Sequence, residues 1–144
     1  MSLAQIFHGG MFAPEAITGE RPVSASENTI SNDSQKTSRE LSQTEIEDII
    51  SSFGDAASRC AKAGFDGIEL HGAHGYLICQ FLGEKTNRRK DEWGGEILNR
   101  SRFLMRIIDD VRDKVPEDFI IGVRISPEHR KVCLLYTSPS PRDQ

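Results

Sequence analysis

Two histidines and a tyrosine, His71, His74 and Tyr76, follow one another closely at the end of a short apolar segment. Their side chains can donate hydrogen bonds and transfer protons near neutral pH. The two histidines could both donate to one developing oxyanion, and the tyrosine could supply a proton. From the spacing alone, a pair of structural histidines at a strand end and a solvated tyrosine are equally good interpretations.

A metal site is a weaker alternative for the same histidines. The segment His71–His74 lacks the glutamate of the H-E-x-x-H motif, does not lie on a helix and has no evident third ligand. Cys60, Cys79 and Cys133 are widely spaced and contain no C-x-x-C pair, which is typical of a reducing compartment. We therefore expect no metal, and a zinc hydrolase is only a minor alternative.

The elements that must position these side chains alternate between strand and helix. Apolar runs predict strands at Leu3–His8, Phe65–His71 and Phe119–Ile125. A capping box at Ser42–Glu45 begins a helix that ends at Gly64, and a second amphipathic helix ends at Pro116. The order β-α-β-α-β predicts a parallel sheet with helical crossovers.

Alternation along the strands favours a barrel over an open doubly wound sheet. Gly67, Glu69 and His71 share one face, whereas Ile68 and Leu70 share the other. An open sheet covered by helices on both sides would be apolar on both faces, but a barrel has a lumen face and a helix face. A (β/α)8 barrel needs about 250 residues. With 144 residues and three predicted strands, the chain is predicted to be a partial barrel.

Further polar residues are predicted at the same edge of the sheet. Gln5 can donate and accept hydrogen bonds, which suits the edge of a heterocycle. Arg124 lies on an otherwise apolar strand and requires an anionic partner, either a ligand or Glu69 across the lumen. The mixed-charge segment around Trp93 is predicted to hold a loop in place, and the long polar segment from Met11 to Glu40 is predicted to be a loop.

Composition excludes several classes of function. The formal net charge of −4 gives no electrostatic footprint for nucleic acid or an anionic membrane. No segment approaches the roughly 20 apolar residues of a transmembrane helix, and the first residues lack the pattern of a secretory signal. A cytoplasmic protein is therefore expected.

The chain resembles the Old Yellow Enzyme family of FMN-dependent ene-reductases, which includes NADH:flavin oxidoreductases and enzymes similar to 2,4-dienoyl-CoA reductase. The matching blocks are Gln5–Gly10, Ala63–Leu77, Gln80–Leu82, Asn87–Gly95 and Asn99–Phe103. The resemblance implies that the three strands correspond to about strands 3 to 5 of a TIM barrel. It also implies that residues 1–128 form part of an FMN-binding domain.

The same resemblance implies a role for each candidate residue. Gln5 would bond the pyrimidine edge of the flavin, and Arg124 would lie beside its N1 and O2 atoms. His71 and His74 would hold the substrate carbonyl oxygen, and Tyr76 would be the proton donor to the α-carbon. NADH or NADPH would supply hydride through FMN to the C=C bond of an enone or enoyl substrate.

The chain departs from the family pattern in two places. Met11 follows Gly10 where the family usually has an arginine, and residues 129–144 do not continue the family pattern. This tail is similar to a translated sequencing adapter, so we expect it to be non-native or disordered. The family's phosphate-binding strands are not found in this sequence, so the chain is expected to be inactive alone. A non-catalytic α/β binding module is the alternative.

Overall fold

The computed structural model describes residues 1–30 and 36–126, together with the backbone of residues 128–129 and 132–133. A 3-10 helix at Gly10–Phe12 accompanies eleven other elements. In chain order these are β1 (Leu3–Ile6), α1 (Glu15–Thr18), β2 (Val23–Ser24), β3 (Arg39–Glu40), α2 (Gln43–Lys62), β4 (Gly67–Gly72), α3 (Leu77–Leu82), α4 (Ile97–Lys114), β5 (Ile120–Ile125), β6 (Glu128–His129) and β7 (Val132–Cys133).

Three parallel strands form the main sheet, in the order β1-β4-β5. The register places Gln5 beside Glu69, and Glu69 beside Gly122. Two residues further along both strands, His71 lies beside Arg124. The predicted parallel β-α-β-α-β arrangement is confirmed, and the carboxyl ends of all three strands meet at one edge. The first strand is shorter than predicted, because it ends at Ile6 and not at His8.

Helix α2 begins where the capping box predicts. The hydroxyl of Ser42 accepts from the backbone N–H of Glu45, and the Glu45 carboxylate accepts from the backbone N–H of Ser42. Arg39 on β3 donates to the same carboxylate. The hydrogen bonds from Arg39 and Ser42 lower the pKa of Glu45 to about 2. The helix start is therefore tied to the strand that precedes it.

The core lies on one side of the sheet, where α2 and α4 pack side by side against it. Ile68 and Leu70 of β4 are fully buried there. The helix residues that cover them are apolar and recur at helical spacing, namely Ile46, Ile50, Phe53 and Ala57 on α2 and Phe103, Leu104, Ile107 and Val111 on α4. Each of these side chains larger than alanine contributes about 1.5–3 kcal/mol on burial. Helices thus cover one face of β4, as the alternation predicts.

The polar segment between β1 and α2 is more ordered than predicted. It contains the 3-10 helix, α1 and the parallel pair of β2 with β3. The Asn28 side-chain amide is buried and donates to the Ser24 hydroxyl, the Ser26 carbonyl and the Thr86 carbonyl. The expectation of a plain loop was wrong because this order comes from hydrogen bonds among polar residues, which leave no hydrophobic period in the sequence.

The segment between α3 and α4 is held by a network centred on Arg89, as predicted for the mixed-charge loop. The guanidinium is buried and donates to the carbonyl oxygens of Ala25 (3.0 Å) and Leu41 (2.7 Å). It also forms an ion pair with Asp91 at 2.6 Å. Trp93 is fully buried beside this network. One side chain therefore joins three segments that are distant in sequence.

The expectation for residues 129–144 concerns positions that lie outside the described residues, except for part of the backbone. There, β6 and β7 form an antiparallel pair. The character of the tail stays a prediction. Within the described ranges, none of the helices combines the length and the apolar character that crossing a membrane requires.

We expect Arg89→Met to lower the free energy of unfolding by about 1–3 kcal/mol for each buried carbonyl left without a donor. Urea unfolding followed by the fluorescence of Trp93, the single tryptophan, measures this loss. Arg106→Met is the matched control, because Arg106 pairs with Glu47 on the surface. An exposed pair contributes about 0–1 kcal/mol. Equal effects of the two substitutions would contradict the role given to Arg89.

Candidate functional site

The predicted histidine pair comes together at the carboxyl end of β4. His71 is the fifth residue of that strand and is 5% exposed, whereas His74 lies exposed in the following turn. The His71 Nε2 and His74 Nδ1 atoms are 3.2 Å apart, and the two rings meet edge to face at 82°. The backbone therefore brings one nitrogen of each ring within hydrogen-bond distance of the other.

The hydrogen-bonding state of this pair limits what it can do. In the ligand-free contact, one of the two facing nitrogens donates to the other. If each of these two nitrogens carries a proton, both N–H groups can donate to a single oxygen. An oxygen can lie at the usual distance of about 2.9 Å from both nitrogens, because that distance is more than half of the separation between the nitrogens. The Nδ1 atom of His71 is buried and has no hydrogen-bond partner. A tautomer with the proton on Nε2 leaves Nδ1 as an unpaired acceptor, which is a smaller penalty than an unpaired buried N–H.

The surroundings of His71 favour its neutral form. Burial lowers the pKa of the His71 imidazole, and the charges of His74 and Arg124 lower it further, while Glu69 opposes them. A neutral imidazole can donate a hydrogen bond without releasing its proton, which is the property needed to stabilise an oxyanion. A neutral His71 is therefore expected to be available as a hydrogen-bond donor at neutral pH.

Tyr76 lies against the same histidine. The centroids of the Tyr76 and His71 rings are 5.1 Å apart, and Phe7 lies 5.0 Å from the Tyr76 ring. Phe12 contacts Tyr76 edge-on. The sequence analysis did not single out Phe7 or Phe12. Phe7 is 56% exposed although it is large and apolar, so the signal that identifies it is structural. An aromatic wall, formed by Phe7, Phe12 and Tyr76, therefore lies beside the histidine pair.

A buried glutamine that sequence reasoning left without a role supports this edge. Gln80 on α3 is fully buried. Its amide nitrogen donates to the Gly75 carbonyl at 2.6 Å, and its amide oxygen accepts from the Met11 backbone N–H at 3.2 Å. It thus bonds to both loops that flank the site. A fully buried polar side chain is visible only once α3 is placed against those loops.

The two predicted cofactor residues lie on the uncovered face of the sheet. The Gln5 amide donates to the Glu69 carboxylate at 2.5 Å, which leaves its own oxygen free to accept. Arg124 is exposed and forms no hydrogen bond or ion pair with any residue in the described ranges. The alternative of an ion pair between Arg124 and Glu69 is not formed, because this face is open to water and the cation needs no buried partner.

These side chains fit one edge of a flavin. An amide that donates and accepts, next to a cation, matches a pyrimidine edge on which negative charge develops. Gly122 lies between them on the same face and leaves room, since a Cβ atom there would approach no atom closer than 3.5 Å. The register brings Gln5 of β1 and Arg124 of β5 to either side of β4, which is the strand that carries His71.

His8 does not join the histidine pair. Its Nδ1 atom accepts from the Gly10 backbone N–H at 3.0 Å, and burial lowers its pKa. It belongs to the turn that follows β1. Across residues 1–30 and 36–126, no cluster of three or more histidine, cysteine, aspartate or glutamate side chains is arranged to hold a metal ion.

Comparisons with known proteins identify the family of the chain. The model of the NADH:flavin oxidoreductase / NADH oxidase family matches residues 2–132. The NADPH dehydrogenase of Clostridium acetobutylicum is 47% identical over 124 residues, which cover 86% of this chain and 36% of that protein. The NADH:acrylate oxidoreductase of Vibrio harveyi is 42% identical over 132 residues, which cover 88% of this chain and 13% of that protein.

Solved structures of related proteins agree with the family match. The old yellow enzyme homologue from Zymomonas mobilis superposes with a TM-score of 0.82 at 32% identity, over 91% of this chain and 40% of that one. Morphinone reductase in complex with tetrahydroNAD gives 0.79 at 32% identity, over 88% of this chain and 39% of that one. The predicted partial barrel is confirmed. The chain spans less than half the length of these relatives.

We expect His71 to titrate below the ordinary histidine pKa of about 6.5 in an NMR titration of the 144-residue chain. Arg124→Gln removes a positive charge and should raise this pKa, whereas Glu69→Gln should lower it. Opposite shifts would contradict the electrostatic account. Since the unfolded chain binds the proton more readily, the free energy of unfolding should fall as pH drops below about 6.5. His8 acts in the same direction.

Proposed function

Because the chain belongs to the NADH:flavin oxidoreductase / NADH oxidase family, we propose that it supplies the catalytic edge of an FMN-dependent oxidoreductase that reduces an activated C=C bond. The substrate is a small enone or enoyl compound. The observation that carries this proposal is the contact between His71 Nε2 and His74 Nδ1, which lie 3.2 Å apart at the carboxyl end of β4.

The histidine pair acts on the substrate carbonyl. Two donors on the carbonyl oxygen draw electron density toward it and make the β-carbon of the conjugated C=C bond electrophilic. Negative charge develops on the oxygen as hydride arrives, so the same hydrogen bonds strengthen in the transition state. Burial of His71 makes its contribution larger than it would be in water.

Gln5 and Arg124 would hold the cofactor. The cofactor, FMN, would supply to the β-carbon the hydride that it takes from NADH or NADPH. Gln5 would pair with the pyrimidine edge, and the Arg124 guanidinium would stabilise negative charge beside N1 and O2. Both residues lie on the open face of the sheet, on the strands that flank β4.

Tyr76 would complete the reaction by giving a proton to the α-carbon. The new C–H bonds then account for one hydride and one proton, and the C=C bond becomes a single bond. The tyrosine ring already contacts His71 and Phe7. The aromatic wall would hold the planar conjugated system of the substrate beside the histidine pair.

The remaining five strands of a (β/α)8 barrel would complete the flavin site. The 144-residue chain offers one polar face and two sheet edges without them, so we propose that it binds FMN weakly and is inactive alone. Its partner would be a small unsaturated carbonyl compound, with neither nucleic acid nor membrane involved.

A chimera tests the catalytic roles. The 124 residues that align with the Clostridium acetobutylicum NADPH dehydrogenase would replace the corresponding segment of that enzyme. We expect the chimera to reduce enones, and loss of both donors in His71→Ala/His74→Ala to slow substrate reduction by about 10²–10³-fold, as for other oxyanion donors. Tyr76→Phe should slow the same half-reaction.

Stopped-flow measurement separates the two half-reactions in this chimera. Flavin reduction by NADPH should be unchanged in all three substituted positions, since they act on the substrate. Lys62→Ala, at the exposed end of α2, is the control and should change neither half-reaction. Full-speed enone reduction by the double histidine variant would overturn the proposed role.

A second prediction concerns the 144-residue chain by itself. After incubation with FMN and gel filtration, we expect far less than one flavin per chain and no enone reduction. The flavin absorbance that elutes with the protein measures this directly. A yellow chain with stoichiometric FMN and ene-reductase activity would show that the described sheet alone completes the site.

A further inference from the structure

Gln80 occupies an unusual position for a polar residue, because it is fully buried and bonds to no other side chain in the described ranges. Its neighbours on α3, Cys79 and Phe81, are buried and apolar. A buried amide without partners would be costly. Both ends of this amide are satisfied, and each partner is a backbone group of a different loop at the catalytic edge.

The first partner is the turn that carries His74. Gly75 accepts from the Gln80 amide nitrogen through its carbonyl oxygen at 2.6 Å. In this turn His74 has a φ angle of 56° and Gly75 one of 79°. A left-handed backbone is unfavourable for a residue with a side chain, so it persists where the surroundings hold it. The bond from Gln80 holds the peptide group between Gly75 and Tyr76, one residue beyond His74.

The second partner is the turn after β1. The amide oxygen of Gln80 accepts from the Met11 backbone N–H at 3.2 Å. The amide lies so close to Gly10 that a Cβ atom there would be 2.4 Å from the Gln80 oxygen. Near this bond, the Leu77 backbone N–H donates to the His8 carbonyl at 3.0 Å. Gln80 thus joins the loop of Phe12 to the loop of the histidine pair.

We propose that Gln80 is a positioning residue that joins these two loops and sets the His74 ring against His71. Its amide is the donor that fixes the Gly75 carbonyl and the acceptor that fixes the Met11 N–H. The consequence for catalysis rests on the proposed function, because an oxygen can receive two bonds only while the two ring nitrogens converge. The structural statement itself does not depend on any activity.

Gln80→Met tests this in the 144-residue chain by NMR, because methionine has the same length but cannot form either bond. We expect loss of the nuclear Overhauser effect between the His71 and His74 rings and faster hydrogen exchange of the Met11 amide. Asn87→Leu is the matched control. The Asn87 amide is also buried and donates to two carbonyls, of Phe81 and Trp93, away from the site. It should leave the ring contact unchanged.

Gln80→Glu provides a reversible form of the test. A protonated carboxyl group can donate to the Gly75 carbonyl and accept from the Met11 N–H, whereas a carboxylate cannot donate. Burial raises the pKa of such a carboxyl group. We therefore expect the ring contact at low pH and its loss as pH rises. The titratable or charged groups on the surrounding elements are His8, His71, His74, Tyr76, Cys79 and Arg100, and the unsubstituted chain in the same series gives their baseline.

The unsubstituted chain supplies a further readout that requires no variant to fold. A scalar coupling across the hydrogen bond between Gln80 Nε2 and the Gly75 carbonyl carbon is expected, and its absence would overturn the proposal. An unchanged ring contact in folded Gln80→Met, or a pH-independent one in Gln80→Glu, would overturn it as well. An inactive chimera with the expected NMR results would refute the proposed function while leaving the role of Gln80 intact.

Discussion

The pairing of β4 along both of its edges is the constraint on which the rest of the structure depends. Its hydrogen bonds to β1 and β5 fix the register, and the register decides which side chains face the helices. Ile68 and Leu70 enter the core, so Glu69 and His71 must face the other way. A slip of one residue would exchange the two faces. The energy of core burial therefore determines the position of His71.

Two buried polar side chains then fix the loops that the sheet leaves undetermined. Arg89 bonds to the carbonyl oxygens of Ala25 and Leu41, and Gln80 bonds to Gly75 and Met11. In both cases a side chain satisfies backbone groups of loops, and all of these partners except Gly75 lie far away in sequence. Backbone groups of buried loops need such partners, because no strand or helix supplies them. Arg89 thus holds the loops around Ala25 and Leu41, and Gln80 holds the two loops beside the histidine pair.

The sequence predicted the features that rest on local periodicity or on caps. The capping box located the start of α2, and alternation along β4 identified the face of His71. Features that rest on long-range polar contacts were not predictable. The ordered polar segment before α2 shows no apolar period of its own. The six-residue α3 was missed for another reason, because a short and almost continuous apolar run does not distinguish a helix from a strand. Arg124 was judged as a buried cation, but its side chain is exposed because its face of the sheet is uncovered.

In the proposed site, the part that would bind the substrate is held together within this chain, whereas the part that would bind the flavin is uncovered. His71, His74, Tyr76 and Gln80 come from one continuous stretch, and the loop after β1 completes their surroundings. Gln5 and Arg124, by contrast, lie on a face that water still reaches. Covering that face would exclude water and strengthen the attraction between Arg124 and any anion placed there, because Coulomb interactions increase as the dielectric constant falls. Closure of a barrel would therefore alter the proposed cofactor affinity more than it alters the geometry of the histidine pair.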